Sequence, residues 1–317
     1  MHRVLRSMTI FSLCTEPMAT APAPDALLQR SQPLTLQSMA SMTLLAILWG
    51  LSIPLTKLGL QDTSPTALTA LRFAFAVPPL MVYVMGRHPL RRQAIPQVIG
   101  LGIVGIFIGQ VAQSLGVAGT SASIGTIVSA TIPIFIVLFA AMRLRQRVTA
   151  SQKAGIAAAF VGIAVVALGR GGGVEASPAG VGFMLLSSVA IAFYYVWSVE
   201  LTQAFGVATV AAWSTLFGFL ALLPWAGWQA MHEPFAPSMQ SLAVAAYLGL
   251  VVTVAGLFLW LGILRTVPAR VAAAVQFFQP LVGVAVSAAM FGDQLGLSFG
   301  IGVAAVLVGL RLTLRTT

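Results

Sequence analysis

Charged residues are scarce in this chain. Asp, Glu, Lys and Arg make up 8% of the 317 residues, whereas a soluble domain carries about 25%. Hydrophobic residues reach 58%, and the mean hydropathy is +0.96. No water-soluble fold has an interior large enough for so many apolar side chains, which excludes soluble enzymes and nucleic-acid-binding proteins. We therefore expect a membrane protein whose main surroundings are the lipid bilayer.

Cysteine and histidine are also rare. The single cysteine, Cys14, excludes a disulfide framework and a cysteine-based metal site. The three histidines, His2, His88 and His232, lie in predicted tails or loops. No Gly-rich phosphate loop of the Walker type is present, so ATP is not expected to drive the protein directly. The sequence predicts no cofactor, no metal and no catalytic residue.

Long apolar runs fill the chain from residue 39 onward. A bilayer core of about 30 Å needs about 20 apolar residues per helix, and polar, Gly or Pro residues divide the runs into ten. The predicted helices cover 39–60, 66–85, 95–115, 121–142, 152–169, 179–200, 208–229, 241–263, 270–290 and 296–313. The predicted fold class is an all-α polytopic membrane protein with ten transmembrane helices.

The basic residues predict the orientation. With the N-terminus inside, Arg170 alone of the 17 basic residues falls in an outer loop, and Lys57 and Arg72 fall within helices, which leaves 14 on the inner side. This bias places both termini in the cytoplasm. The Ala- and Pro-rich residues 1–38 are expected to form a disordered cytoplasmic tail. Translation could begin at Met1, Met18 or Met39.

An internal repeat divides the chain into two halves. After a shift of 147 residues, 122–162 aligns with 269–309 without a gap, and 11 of 41 positions are identical. The shared positions that constrain the backbone most are the pairs Pro133/Pro280, Gly155/Gly302 and Gly162/Gly309. Because each half holds five helices, an odd number, the halves are expected to have opposite orientations. Inverted repeats are typical of secondary transporters, whose substrate site lies near the bilayer midplane between the repeats.

Several local patterns resemble a known repeat. In the first half they are Trp49-Gly50, residues 64–73, and residues 120–125 followed by Ile132-Pro133; in the second they are residues 267–274, Gln279-Pro280 and residues 291–295. In their order and spacing, residues 39–313 resemble a ten-helix EamA-type member of the drug/metabolite transporter superfamily. The resemblance implies a first repeat at 39–169 and a second at 179–313. The chain departs from the family pattern after helices four and nine, where Gln146 and Asp293 replace the usual Glu.

The resemblance implies a carrier in the bacterial inner membrane, often an exporter of amino acids or related metabolites. A sugar, nucleotide-sugar or drug transporter of the same superfamily remains an alternative. A membrane-embedded transferase is the rival from another class, but it would need a nucleophile, metal ligands or an acid–base pair at one level. The only acid in the predicted helices is Glu200. With no carboxylate or imidazole in the membrane core to carry a proton, facilitated diffusion or exchange is expected.

Polar, aromatic and proline residues in the helices mark a candidate substrate cavity. Matched prolines are expected to interrupt helices four and nine at equivalent depth. Glutamines three residues apart share a helix face, and they could bind a polar metabolite or each form an interhelical hydrogen bond. The candidates are Trp49, Arg72, Gln110, Gln113, Pro133, Trp260, Gln276, Gln279 and Pro280.

Arg72 has two possible roles. Its long side chain could return the guanidinium to the outer interface, or it could face the cavity and offer two donors to a substrate carboxylate. The family resemblance favours a structural role.

Small residues at four-residue spacing allow helices to approach closely. They are Gly105 and Gly109, and Gly292, Gly296 and Gly300. We expect them to pack within one protomer, which favours a monomer over a dimer.

Overall fold

The computed structural model describes residues 35–85, 90–143, 148–168, 176–232, 236–266, 275–293 and 295–313, without the side chains of 167, 168, 265, 266 and 275–277. The regular structure of these residues is helical, mostly α-helical, with no β-strand; a single isolated β-bridge joins Thr120 to Ala176. The first 34 residues, with Cys14, and the basic loop around Arg145 and Gln146 lie outside this part.

Ten helices, α1 to α10, follow one another within the described residues. They are α1 (Leu36–Gly50 and Ser52–Gly59), α2 (Pro65–Val84), α3 (Ile95–Leu101, Gly102–Ile108 and Gly109–Ala118), α4 (Ala122–Ser129 and Ile132–Arg143), α5 (Ala150–Leu168), α6 (Pro178–Trp197), α7 (Val207–His232), α8 (Met239–Ala246, Tyr247–Ala255 and Gly256–Thr266), α9 (Val275–Phe291) and α10 (Leu297–Thr313). A 3₁₀ turn, Arg92–Ala94, precedes α3, and a short helix, Val199–Phe205, follows α6.

Seven of these helices are long and apolar enough to cross a membrane. The described apolar stretches of the other three, α5, α9 and α10, are 10–17 residues long. The chain is therefore a polytopic membrane protein. Helix α1 begins at Leu36, three residues before the start predicted for the first helix.

Four helices begin with the same capping signal. Each follows a serine whose hydroxyl accepts a hydrogen bond from a backbone N–H in the first turn, which satisfies one of the donors left free at a helix start. The serines are Ser64, Ser121, Ser177 and Ser238, before α2, α4, α6 and α8. All four lie at one end of the bundle, which we call the distal end. The other end, where α4 finishes at Arg143, is called the basic end.

Hydrogen bonds connect different helices at the distal end. The Ser177 amide donates to the Gly119 carbonyl at 2.9 Å, which joins α6 to α3. The Ser238 hydroxyl donates to the Asp62 carboxylate at 2.5 Å, which joins the start of α8 to the segment after α1. The Asp293 carboxylate accepts from the backbone N–H of Ser123 at 3.3 Å, beside the positive end of the α4 dipole.

Helices α3 and α8 share an unusual feature, a π-helical segment in mid-helix. The segments are Gly102–Ile108 and Tyr247–Ala255. Each contains a glycine pressed against a neighbouring backbone, since a Cβ at Gly102 would lie 2.5 Å from the Ser214 carbonyl of α7 and one at Gly249 would lie 2.4 Å from the Arg72 carbonyl of α2. Gly102 and Gly249 are 147 residues apart, which is the repeat shift. Arg72 and Ser214 thus occupy corresponding places in the two halves.

Helices α5 and α10 cross at two pairs of glycines. A Cβ at Gly155 would lie 2.6 Å from the Gly309 carbonyl, and one at Gly162 would lie 2.6 Å from the Gly302 carbonyl. Residue numbers rise along α5 as they fall along α10, so the helices are antiparallel. The two pairs interchange under the 147-residue shift. We call this contact the glycine seam.

The expected glycine packing is right for one set and wrong for the other. Gly105 and Gly109 pack against Tyr194 and Ile191 of α6 within the protomer. In contrast, a Cβ at Gly300 would meet no atom within 4 Å. Gly292 has a φ of +68° just after α9, so it serves as a helix terminator. Helix α10 packs through Gly302 and Gly309, which point toward α5 instead.

Candidate substrate cavity

A cavity of about 540 Å³ lies among the helices and is lined by residues of α1–α4 and α6–α9. Eight of the nine residues predicted from the sequence line it: Trp49, Arg72, Gln110, Gln113, Pro133, Trp260, Gln279 and Pro280. The ninth, Gln276, lies in α9 but its side chain is outside the described part. The fold thus brings together residues separated by more than 200 positions.

The cavity is accessible from the basic end. Its wall there includes Tyr195 and Val199, which are 48% and 46% exposed. Toward the distal end, Ile53 lines the cavity and belongs to a buried cluster with Val117 and Ile127. This apolar cluster separates the cavity from the distal end.

A lysine reinforces the distal side of that cluster. Lys57, in the second segment of α1, donates from Nζ to the carbonyls of Val117, Ala118 and Thr120 at 3.0, 3.2 and 2.7 Å. These carbonyls surround the C-terminus of α3, where a cation is stabilised by the helix dipole. The cavity is therefore closed toward the distal end by apolar packing and by polar contacts between helices.

Arg72 is the only charged residue among the described residues that line the cavity. Its Nη1 donates to Gln110 Oε1 at 2.8 Å. Its Nε and Nη2 donate to Thr253 Oγ1 at 3.2 and 3.1 Å. The guanidinium is therefore tied to α3 and α8, which contradicts the alternative in which it returns to the interface. Gln110 and Thr253 together hold the guanidinium of Arg72 at the cavity wall.

The π-helical segment of α8 presents Thr253 to Arg72. The Thr253 hydroxyl donates to the carbonyl of Leu248, five residues earlier, at 2.8 Å. Its hydrogen is thereby occupied, and its lone pairs accept from Nε and Nη2 of Arg72. π-helical segments within α-helices frequently occur at functional sites.

Two tryptophans form one wall. The rings of Trp49 and Trp260 have centroids 5.9 Å apart and an interplanar angle of 42°. Trp49 Nε1 donates to the Val252 carbonyl at 3.2 Å, and a Cβ at Gly256 would lie 2.6 Å from that nitrogen. Gly256 thus makes room for the indole, which shows an apolar face to the cavity.

The glutamines divide into two kinds. Gln110 is engaged by Arg72, as the interhelical alternative proposed. Gln113 and Gln279 line the cavity, and within the part of the chain that the structure describes neither side chain makes a hydrogen bond. Each free amide offers both a donor and an acceptor to a solute.

The two prolines act differently on their helices. Helix α4 is interrupted just before Pro133, where Ala130 and Thr131 separate its two segments. The expected interruption at Pro280 is wrong, because α9 runs from Val275 to Phe291 through that residue. Proline removes only one backbone donor, and membrane helices tolerate the loss where neighbours pack against the freed carbonyls. Helix α1 packs closely beside this part of α9, since a Cβ at Gly50 would lie 2.9 Å from the Gln279 carbonyl.

The cavity has a second polar pair on the α6–α7 side. Tyr194 lines the cavity, and its hydroxyl lies 3.1 Å from the Ser214 hydroxyl. Ser214 occupies the place that corresponds to Arg72, so the two halves contribute a neutral and a charged group at matched positions.

Sequence reasoning missed Thr253, which is a single hydroxyl in the apolar run of α8. The repeat could have revealed it. Thr253 lies 147 residues after Ile106, so a hydroxyl replaces an apolar side chain at the corresponding position of the second half. Among the described residues, no group of three or more His, Cys, Asp or Glu could hold a metal ion.

Both halves of the sequence match one known family. The sequence pattern of the EamA-like transporter family matches residues 37–168 and, a second time, residues 178–315. The chain belongs to this family. The two matches together cover most of the protein, and the stretch between them lies between α5 and α6.

Relatives of this transporter carry consistent names. An uncharacterized transporter of Archaeoglobus fulgidus is 26% identical over 86% of this chain and 97% of its own length. A protein of Streptantibioticus cattleyicolor named a probable terminal-alkyne amino-acid exporter is 27% identical over 86% of this chain and 93% of its own. The uncharacterized inner membrane transporter YedA of Escherichia coli K12 is 24% identical over 83% and 87%.

A solved crystal structure has the same fold. It superposes with a TM-score of 0.60 over 87% of this chain and 98% of that chain, at 19% identity. The transporter is therefore a multi-pass membrane protein of known architecture. Membership implies a small-molecule substrate.

Proposed function

We propose that this transporter is a secondary carrier that exports a small metabolite by alternating access. In this mechanism ten membrane-spanning helices form two inverted repeats, 39–169 and 179–313, and the cavity lies between them. The observation that carries the proposal is a midbundle cavity that is accessible from the basic end and closed by packed side chains at the distal end. A carrier alternates between such a state and the opposite one, in which the cavity is open at the distal end and closed at the basic end.

Matched contacts in the two halves support the inverted arrangement. The glycine seam interchanges under the repeat shift, and so do the π-helical segments of α3 and α8. In alternating access, each half takes up the conformation that the other half had before. Because the two halves make equivalent backbone contacts, this exchange is expected to cost little packing energy.

An amino acid or a related compound is the proposed substrate. One relative is named as an amino-acid exporter, and the cavity combines a guanidinium, two unbonded amides and a tryptophan pair. A cavity of about 540 Å³ falls in the size range of small-molecule sites.

Both termini are proposed to face the cytoplasm of a bacterial cell, with the distal end outside. The basic residues at the ends of α4, α5 and α10 support this orientation. In a Cys14→Ala background, Leu295→Cys at the distal end should react with an impermeant thiol reagent in intact cells. Ala150→Cys at the basic end should react only after permeabilisation, and the opposite pattern would contradict the orientation.

Counterflow in reconstituted vesicles tests the function directly. Vesicles loaded with an unlabelled amino acid should accumulate the labelled compound transiently, whereas vesicles without protein should not. A deletion strain should be hypersensitive to toxic analogues of the same compound, and overexpression should protect it. Absence of counterflow across amino acids, sugars and cationic drugs would contradict a carrier.

A further inference from the structure

We infer that Arg72, Gln110 and Thr253 form an oxyanion subsite that binds the carboxylate of an organic acid, with Thr253 as a positioning residue. The inference rests on the proposed function, since it names the group by which the exported solute is recognised. The solute is therefore expected to carry a carboxylate. An amino alcohol, in which a hydroxymethyl group replaces the carboxylate of the amino acid, is expected to bind more weakly.

The donors of Arg72 are only partly used. A guanidinium carries five N–H groups in one plane, and the contacts to Gln110 and Thr253 occupy three of them. Two remain, and the residue lines the cavity. Two donors on a planar cation match the two oxygens of a carboxylate.

The charge of the cavity points to the same ligand. Arg72 meets no Asp or Glu among the described residues of the cavity wall. While the cavity is open, water can solvate the cation. When the cavity closes, water is expelled, and an uncompensated charge in a low-dielectric interior becomes costly. An anionic group on the solute removes that cost, and a single guanidinium neutralises one carboxylate.

Thr253 fixes the orientation of the remaining donors. Its hydroxyl hydrogen goes to Leu248, and its oxygen accepts from both Nε and Nη2 of Arg72. Gln110 holds Nη1 from the other side. With both edges held, the guanidinium plane is set before a ligand arrives, which lowers the entropic cost of binding. Ile106, the counterpart of Thr253 in α3, has no hydroxyl.

The test measures binding to the purified full chain in detergent, by quenching of tryptophan fluorescence. The probes are hydrocinnamate, phenylalanine and phenylalaninol, which share a phenyl ring and differ in their carboxylate and amine. The variants are Thr253→Val, which keeps the shape of the side chain, and Thr253→Ser, which keeps the hydroxyl. Thr56→Val is the matched control, because Thr56 is buried, its hydroxyl donates to the Ser52 carbonyl of its own helix, and it lies outside the cavity wall.

Hydrocinnamate and phenylalanine should bind, and phenylalaninol should bind at least about tenfold more weakly. Thr253→Val should weaken the binding of both acids about tenfold, whereas Thr253→Ser and Thr56→Val should bind as the wild type does. Equal binding of hydrocinnamate and phenylalaninol would overturn the inference, as would wild-type acid binding by Thr253→Val or no acid binding at all. Acid binding without counterflow would leave the subsite in place and contradict the carrier instead.

Discussion

The glycine seam and the cavity wall differ in how closely the two halves of the transporter match. At the seam, Gly155 and Gly162 of α5 repeat as Gly302 and Gly309 of α10, and the backbone contacts interchange. Near the cavity wall, the backbone contacts of Gly102 and Gly249 also match, but the side chains of the residues that they contact, Ser214 and Arg72, differ. Symmetry is therefore kept in the backbone contacts between helices and is lost in the side chains where a solute would bind.

The loss of symmetry follows one pattern. By the 147-residue shift, Gln110 and Thr253 correspond to Leu257 and Ile106. By the backbone contacts of Gly249 and Gly102, Arg72 corresponds to Ser214. The side formed by α2, α3 and α8 carries the charge of Arg72, whereas the α6–α7 side is polar but neutral, with Tyr194, Ser198, Thr202 and Thr215 in the wall. An asymmetric solute with one anionic end fits a wall of this kind better than a symmetric one does.

The largest effect is expected from filling the seam. Gly302→Val places a side chain where a Cβ already lies 2.4 Å from Val166 and 2.7 Å from the Gly162 carbonyl. Backbone cannot yield as a flexible side chain does, so we expect a loss of at least about 2 kcal/mol of stability. The readouts are the monodisperse yield in detergent and the Tm. Gly300→Val, on an open face of the same helix, should stay near wild type; equal damage in both would show that the seam is not special.

Arg72→Lys tests the polar side of the cavity. Lysine keeps the charge but loses the planar fork that Gln110 and Thr253 hold. Exchange of an acidic substrate should fall about tenfold at unchanged membrane abundance, and Arg72→Ala should fall at least as far. Full activity in both variants would remove Arg72 from the site.

The helix pattern could be predicted from the sequence because membrane helices must satisfy their backbones internally. Apolar length and Pro or Gly punctuation therefore locate them, and the repeat at 147 residues identifies the glycines that pair in the seam. The starts of α2 and α6 at the distal end could also be predicted. Ser64 and Ser177 each precede a proline, and this combination favours a helix start.

The chemistry of the site was harder to predict. That Arg72 meets Thr253, 181 residues away, depends on how α2 packs on α8, and no local pattern encodes that distance. The effect of Pro280 was misjudged for the same reason, because a proline breaks or spares a helix according to what packs against the carbonyls it frees. The predicted disordered tail and the side chain of Gln276 fall outside the described residues and stay predictions.

A smaller effect is expected on the rate at which the empty transporter changes back to its starting conformation. If the solute neutralises Arg72, closing the loaded cavity buries a neutral pair, whereas closing the empty one buries a charge. Exchange should therefore outpace net efflux by about tenfold, which corresponds to a barrier difference of about 1.4 kcal/mol. Labelled solute efflux from vesicles with and without external solute measures the ratio. Neither flux should require a pH gradient, and proton movement in fixed ratio to substrate would contradict simple exchange.

The smallest effect is expected at the position that mirrors Arg72. Ser214→Ala removes a hydroxyl that lies 3.1 Å from the Tyr194 hydroxyl, and interhelical hydrogen bonds in membranes contribute about 0.6 kcal/mol on average. The Tyr194 hydroxyl stays at the edge of a cavity that is accessible from the basic end, so water can replace the lost partner. Stability should therefore change by less than about 1 kcal/mol and exchange by less than about twofold, measured beside Arg72→Lys in the same vesicles. A loss in Ser214→Ala as large as in Arg72→Lys would mean that both halves recognise the solute through their matched positions, and the asymmetry of the cavity wall would then have no bearing on how the solute is oriented.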